Sequence, residues 1–529
     1  MSSEGQQTDF YDVVVVGGGI NGAGIARDAA GRGLRVLLVE QGDLANYTSS
    51  ASTKLVHGGL RYLEYYEFRL VQKALKEREV LMGIAPHIIW PLRFVMPHVK
   101  ELRPAWMIRM GLFLYDHLGG RQKLPGSKGI NLQTHFAGAP LKDTLRKGFI
   151  YSDCWVQDSR LVVLNCMDVE ERGGRVMPRT RCTGAERSGD EWRVQLTDTV
   201  SGEVHDVRSR SIVNAAGPWV AKFLGDAMHQ EDDKANKDVH LVKGSHIVVP
   251  KMFDHEDSYL FQNDDGRVIF AIPYEQHFTL IGTTDVAYEG NPAEATASDD
   301  EIQYLCDAVN RYFKHGIAPK DVVWTYSGVR ALYDESEEED VSAVSRDYSL
   351  ELDEKAAPLL SVFGGKITTY RTLARQAVDR IAPLLGANIT DWTGRSALPG
   401  GDIPDGDFDA YLSALCKSRP WLPEDMAWRL ARNYGTCVEK MLGDAASLDD
   451  GAPLEEAGSG MRASGSGLLA LVGSRFGNGD RDRAGAVSIV FGCGILGRSG
   501  VENGRGTMGA NILCKMLPNM FAAEPCLRK

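Results

Sequence analysis

Apolar and polar positions along this chain predict alternating strands and helices from its first ordered unit onward. Tyr11 to Glu40 reads YDVVVVGGGINGAGIARDAAGRGLRVLLVE. The valine run Val13–Val16 has the wholly apolar pattern of a buried strand. It runs into Gly17-x-Gly19-x-x-Gly22, an alanine-rich helical stretch, and a second apolar strand, Leu34–Val39, that ends on Glu40. Further on, Glu64–Met82 has the spacing of a long amphipathic helix, and Arg103–Leu118, RPAWMIRMGLFLYDHL, that of a helix rich in aromatics and methionine. Alternating segments at Arg193–Leu196 and Val204–Val207 predict antiparallel strands, followed by a buried strand with a glycine exit, SIVNAAGPW, over Ser211–Trp219. Strand-like runs dominate Val239–Thr284, and Asp334–Asp340 is an acidic surface turn. Leu359–Arg375, LLSVFGGKITTYRTLAR, repeats the order strand, glycine turn, helix. Phe408–Leu442 is helical, and there is no tandem repeat.

Strand, glycine turn, helix, strand and acid, in that order, make a dinucleotide-binding βαβ unit. The glycines Gly17, Gly18, Gly19 and Gly22 let the backbone turn tightly and approach a pyrophosphate at the positive end of the helix. Glu40 is placed to accept a hydrogen bond from a ribose 2′-OH and would repel a 2′-phosphate. The later turn Phe363-Gly364-Gly365-Lys366 separates the two nucleotide cofactors that fit this opening. It aims a helix N-terminus, near Thr368, and a cation at one spot, which suits the negative charge that a reduced flavin carries at N1 and C2=O. The bland alternative for Thr368 is a plain helix N-cap. FAD is the expected cofactor.

Length and composition fit a soluble enzyme of two or three domains: 529 residues, 43% apolar and 25% charged. A net charge of −12 argues against nucleic acid as a main partner. The nine cysteines include no CxxC pair, so neither a disulfide framework nor a metal site is expected, and a reducing compartment is. MSSEGQQTDF lacks the apolar core of a signal peptide, and no run is long enough to span a bilayer. The expected location is the cytoplasm.

Several segments in the same order carry a family resemblance. GGGINGAGIARDAAGRG, SSASTKLVHGGLRYLE, RPAWMIRMGLFLYDHLG, GFIYSDCWVQDSRLV, VNAAGPW, KGSHIVVP, IGTTD, WTYSGVR and SVFGGKITTYRTLA resemble the FAD-dependent respiratory (aerobic-type) glycerol-3-phosphate dehydrogenases over roughly residues 10 to 450. The resemblance implies an α/β, two-lobed flavoprotein of the glutathione-reductase and D-amino acid oxidase type. Its Rossmann-like FAD-binding domain would be discontinuous, at about 10–85, 150–235 and 340–395. An antiparallel-sheet substrate domain would be inserted at about 86–149 and 236–339, with a helical cap from 396 to 457. It implies oxidation of sn-glycerol 3-phosphate to dihydroxyacetone phosphate, electrons passing to ubiquinone, a homodimer, and attachment to the cytoplasmic face of a membrane. The rivals within the same fold are an FAD-dependent amine or amino-acid oxidase and a 2-hydroxy-acid dehydrogenase.

Hydride loss from C2 of a secondary alcohol requires its hydroxyl proton to leave too, and His246 is the candidate base, with a buried core histidine as the alternative. A phosphate dianion calls for several cations, and Arg61, Arg330 and Lys366, with Tyr62, sit beside glycine turns rather than on charged helix faces. By resemblance Arg61, Tyr62, Thr284, Arg330 and Lys366 line the substrate site, with His246, Arg330 and Lys366 closest to the chemistry. FAD would be held by Gly17, Gly18, Gly19, Asn21, Gly22, Glu40 and Gln41, by Ser49, Ser50, Ser52, Lys54, His57, Gly58 and Gly59, and by Ala215, Gly217, Gly364, Gly365, Lys366 and Thr368. On Arg103–Leu118, Trp106, Met107, Met110, Phe113 and Leu114 are candidates to enter a membrane interface, with Arg103 and Arg109 meeting lipid phosphates. From about Gly458 the resemblance stops. Residues 458–529 are rich in glycine, serine and arginine with no helical period, which suggests a reading-frame shift near residue 455 rather than a natural flexible tail.

Overall fold

The computed structural model describes residues 9–99, 103–120, 123–228, 239–333, 348–388 and 390–447. The acidic turn at Asp334–Asp340 and the tail from 458 lie outside the described residues. In chain order the helices are α1 (Ile20–Gly31), α2 (Phe68–Ile84), α3 (Ala105–Leu118), α4 (Asp158–Glu171) and α5 (Val220–Asp226). They continue with α6 (Asp299–Asn310), α7 (Tyr370–Leu385), α8 (Phe408–Ser418), α9 (Glu424–Tyr434) and α10 (Cys437–Leu442).

The first sheet runs in the order Ser349–Asp353, Leu359–Phe363, Val204–Asn214, Phe10–Val16, Val36–Val39, Arg175–Met177. All neighbours are parallel except the first pair. The valine run explains why both faces are covered. Val13 and Val15 pack with α1, α4 and α7, while Val14 and Val16 pack with α5 and the strands around Trp192 and Val194. Val204–Val207 and Ser211–Asn214 are one continuous strand rather than two. Its first half is antiparallel to Glu191–Asp198 and its second half parallel to Phe10–Val16, so it stitches a hairpin onto the doubly wound core.

The second sheet is mostly antiparallel: Val286–Ala287, Val239–Pro250, Phe278–Gly282, Val268–Tyr274, Ser258–Gln262, Ile89–Pro97, Lys147–Val156, Leu55–Val56. Trp324–Tyr333 pairs alongside Val239–Pro250. Leu55–Val56 and Lys147–Val156 extend this sheet past the expected boundaries, because Lys147–Val156 passes into α4 with only Gln157 between. One face packs on α6 and the other on α2 and α3. The helix expected from Glu64 begins only at Phe68. Leu60–Tyr65 forms a tight 3₁₀ turn bounded by Gly59 and Tyr66, both with left-handed φ (72° and 61°), which breaks the helix there. Helices α8–α10 carry their own small core around Phe408, Leu415, Ala427 and Val438.

Candidate active site

A cavity of about 1240 Å³ opens where the strand ends of the first sheet meet the second. Gly17 ends the first strand with φ +114°, and a Cβ there would lie 2.4 Å from the carbonyl oxygen of Ala215. Gly22 is packed against the Gly17 carbonyl, so α1 begins directly on the turn. Gly19 gives α1 no side-chain cap, and the Ile20 amide donates to Ser49 Oγ at 3.0 Å. Gly19, Ile20 and Asn21 bring the N-terminus of α1 to the cavity wall, where it suits a pyrophosphate.

Glu40, expected to meet a ribose, lines the cavity and is held by backbone donors. Its Oε2 accepts from the Gly18 amide at 2.7 Å and its Oε1 from the Gly42 amide at 2.8 Å, which locks the glycine turn to the second strand. Burial raises its pKa, against the backbone donors that lower it.

Of the expected cofactor residues, Gly17, Gly19, Asn21, Glu40, Gln41, Ser49, Ser52, His57, Gly58, Gly59, Ala215, Gly217, Gly364, Gly365, Lys366 and Thr368 line the cavity. Gly18, Gly22, Ser50 and Lys54 do not line it. Ser50 Oγ donates to the Tyr47 carbonyl, and Lys54 Nζ turns to Asp158 at 2.8 Å and to the Ser50 carbonyl at 3.2 Å. Thr284, expected in the substrate site, lies behind the wall. Its hydroxyl donates to Glu301 (2.7 Å) and accepts from the Ser245 amide (2.9 Å). Thr368 caps no helix: its Oγ1 accepts from the His57 amide at 3.2 Å, and it lies within the 3₁₀ turn Ile367–Thr369 that leads into α7.

Arg61, Tyr62, His246, Arg330 and Lys366 all line the same cavity. Arg330 is held by Asp285 (2.6 Å), while Arg61 contacts the Tyr65 hydroxyl at 3.3 Å. Lys366 Nζ is buried without a hydrogen-bond partner, 4.2 Å from the centre of the Tyr62 ring. Asn21 donates to the Gly364 carbonyl at 3.0 Å, tying the two glycine turns together, and its Oδ1 is likewise buried without a partner. A buried ammonium and amide oxygen with nothing to bond, beside an open glycine cradle, fit an anionic dinucleotide carrying a ring system.

His246 stacks on Tyr326 (4.7 Å, 14°), and its Nε2 lies 2.9 Å from Thr53 Oγ1, leaving Nδ1 without a partner. Burial, reinforced by Arg330 and Lys54, pushes its pKa down to about 3. In the folded protein the ring is therefore neutral, whereas unfolded histidine gains its proton near pH 6.5. The unfolded state binds the extra proton between these limits, so stability falls as pH drops from about 6.5 towards 3, by up to ~1.4 kcal/mol per pH unit for this group. Thermal unfolding across that window is expected to show the slope, and His246→Gln to flatten it.

Four contributors escaped sequence reading. Thr53 and Tyr326 fix the His246 ring, and Asp285, adjacent to Thr284 in IGTTD, orients Arg330. Asp153, joined to Arg78 (2.7 Å) and Tyr115 (2.7 Å), sets the Gly58 amide through the Tyr115 hydroxyl (2.7 Å). Only the residues beside glycine turns had a local signal.

The sequence matches the FAD dependent oxidoreductase (DAO) family over residues 12–371. It is 52% identical to a glycerol-3-phosphate dehydrogenase of Pseudomonas aeruginosa, over 82% of this chain and 83% of that one. It is 51% identical to a D-erythritol 1-phosphate dehydrogenase of Brucella abortus, over 84% and 88%. Among solved structures it resembles the glycerol-3-phosphate dehydrogenase of Bacillus halodurans complexed with FAD, with TM-score 0.68 and 28% identity over 88% of this chain and 82% of that one. With its glycine cradle, second glycine turn and cation-lined cavity, the chain belongs to the FAD dependent oxidoreductase family, in the branch that holds the glycerol-3-phosphate dehydrogenases.

Proposed function

We propose that the chain oxidises sn-glycerol 3-phosphate to dihydroxyacetone phosphate and delivers the electrons to a quinone at a membrane surface. The observation that carries this reading is Lys366, a buried ammonium without a hydrogen-bond partner in a cavity also lined by Arg330 and Arg61. Bound FAD supplies the two-electron acceptor for the C2 hydride. Arg330, steadied by Asp285, and Arg61 would grip the phosphate and fix the substrate's orientation. In the tautomer whose Nε2–H donates to Thr53 Oγ1, Nδ1 keeps the lone pair that would take the C2 hydroxyl proton. Burial is the main cause of its low basicity, and Arg330 and Lys54 add to it by repelling the proton. A phosphate dianion held by Arg330 offsets that repulsion and raises the imidazole's affinity for a proton.

Anaerobic bleaching of the yellow protein tests the substrate. Rapid bleaching by sn-glycerol 3-phosphate, slower bleaching by D-erythritol 1-phosphate and none by amino acids is the expected order. Preferential bleaching by erythritol phosphate would transfer the chain to the other relative's substrate, and bleaching by amino acids alone would make it an amine oxidase.

The membrane reading is supported by α3. Trp106 (65% exposed) and Phe113 (53%) present an apolar outer face, while Met107, Met110, Gly111 and Leu114 line the cavity from the same helix. No helix among the described residues is long and apolar enough to cross a bilayer. Placing charges on the outer face, in Trp106→Glu with Phe113→Glu, is expected to abolish co-sedimentation with anionic liposomes while leaving bleaching by substrate intact. Retained co-sedimentation would remove α3 from the contact.

A further inference from the structure

Two short segments carry His246 and the groups that hold Arg330, and both are tied down from behind the cavity wall. On the strand Val239–Pro250, Gly244 and His246 line the cavity, while Ser245 between them is buried and does not. The loop after Phe278–Gly282 repeats the order: Thr283 and Asp285 line the cavity, and the buried Thr284 does not. Arg330 lies against both segments. Asp285 holds it at 2.6 Å, its Nη2 is 3.5 Å from Thr283 Oγ1, and a Cβ on Gly244 would meet that same Nη2 at 2.4 Å.

Behind them stands Glu301 of α6, itself buried and outside the cavity lining. Its Oε1 accepts from the Thr284 hydroxyl at 2.7 Å and from the Ser245 hydroxyl at 2.8 Å, so one oxygen joins the two segments. The Ser245 amide donates to Thr284 Oγ1 at 2.9 Å and closes the triangle. Ser327, opposite Ser245 on the neighbouring strand, adds its Oγ at 2.8 Å from Ser245 Oγ. The other oxygen is the anchor: Oε2 meets Lys243 Nζ at 2.8 Å and accepts from the Ser298 amide at 2.9 Å, in the capping box that starts α6. Burial raises the pKa of this carboxyl, but Lys243 and the Ser298, Thr284 and Ser245 donors outweigh it and bring it down to about 2. Glu301 is thus ionised, and its bonds to the two hydroxyls are of the stronger, charge-assisted kind. Capping α6 and pairing with Lys243 occupy Oε2; among the described residues, Oε1 serves the two hydroxyls alone.

We propose that Glu301 is a positioning residue of the substrate site: through Thr284 and Ser245 it fixes the Asp285–Arg330 pair relative to His246. The assignment rests on the roles proposed above for Arg330 and His246. A phosphate gripped by Arg330 determines where C2 falls, and a base is effective only if that carbon's hydroxyl arrives within its reach. Two groups that must serve one small substrate therefore need a fixed separation, and a carboxylate bonded to both of their supporting segments supplies it.

The test uses the full, FAD-loaded chain and anaerobic stopped-flow reduction by sn-glycerol 3-phosphate, which yields a half-saturating concentration and a limiting rate. Thr284→Val keeps the side chain's shape, the cap of α6 and the Lys243 pair, and removes only the hydroxyl that links Glu301 to the Ser245 amide. It is expected to raise the half-saturating concentration ~10-fold and lower the limiting rate ~10-fold, with FAD affinity and reduction by dithionite at wild-type values. Thr284→Ser, which restores the hydroxyl, is expected to recover most of both losses, and Glu301→Gln to reproduce them. A carboxylate that only holds the fold together would lower the melting temperature and leave both constants alone. That result in Thr284→Val or in Glu301→Gln overturns the assignment. Should Glu301→Gln fail to fold, the contrast between valine and serine at position 284 decides. A wild type that the ester does not reduce removes the substrate reading itself, and the assignment with it.

Discussion

Lys366→Met is expected to separate stability from turnover, slowing flavin reduction by sn-glycerol 3-phosphate ~10²–10³-fold while leaving the cofactor-free protein as stable as wild type or more so. The rate loss follows from the position of the ammonium. It is buried at the glycine turn of Gly364 and Gly365, where its charge would stabilise the negative charge that develops on a reduced flavin or a bound phosphate, and removal of one such aimed donor costs about 3–4 kcal/mol of barrier. The stability gain follows from the same burial. Without an anion, Nζ has only the Tyr62 ring, 4.2 Å away, and a cation–π contact is worth about 1–2 kcal/mol. The desolvation penalty of a buried charge is several kcal/mol, so it outweighs the ring. Anaerobic stopped-flow reduction of the FAD-loaded variant, with dithionite as the control for total flavin, checks the rate. Melting of the two cofactor-free proteins checks the stability. A variant that bleaches at the wild-type rate would remove Lys366 from the chemistry, and one that loses stability without cofactor would make it an ordinary structural lysine.

The same contrast between local and distant partners explains what the amino-acid order could reveal. The βαβ unit was legible because everything that defines it lies between Tyr11 and Glu40: a wholly apolar strand, glycines at fixed offsets, and an acid closing the next strand. The second glycine turn was legible for the same reason. Lys54 and Thr284 were misread because a cation or hydroxyl beside a turn looks alike whether it faces a ligand or a partner from far along the chain. Lys54 is claimed by Asp158 and Thr284 by Glu301, and neither pairing leaves a periodic trace. Thr53, Tyr326 and Asp153 act through side-chain hydrogen bonds or ring stacking across long stretches of chain, so only the folded arrangement identifies them. For Glu40 the sequence offered a ribose contact but not its bond to the Gly18 amide, which depends on how closely the two strands approach. Helix α3 shows the converse. Its aromatic and methionine content was plain, but only the fold divides it into a core face at Leu112 and Tyr115, a cavity face, and an exposed apolar face.

Two glycines of the first turn are expected to fail under substitution for different physical reasons, and the difference can be measured without any assay of turnover. In Gly22→Ala the new Cβ would lie 1.9 Å from the Gly17 carbonyl oxygen, a backbone atom held by the first strand. Neither side can rotate away, so α1 must shift off the turn at a cost of about 3 kcal/mol or more. The cofactor-free protein should melt earlier, and the purified protein should be colourless. In Gly19→Ala the Cβ would meet only Ser49 Oγ, at 3.1 Å. That hydroxyl can turn aside for about the 1 kcal/mol of its bond with the Ile20 amide, so the cofactor-free protein should melt close to wild type. The methyl group would instead occupy the space through which a pyrophosphate would approach the N-terminus of α1, and FAD affinity should fall at least as steeply as in Gly22→Ala. Melting of the two cofactor-free variants beside fluorimetric FAD titrations gives the comparison. A Gly19→Ala protein that binds FAD like wild type would mean the pyrophosphate does not sit at this helix end, and the placement of the whole cofactor along the cavity would have to be redrawn.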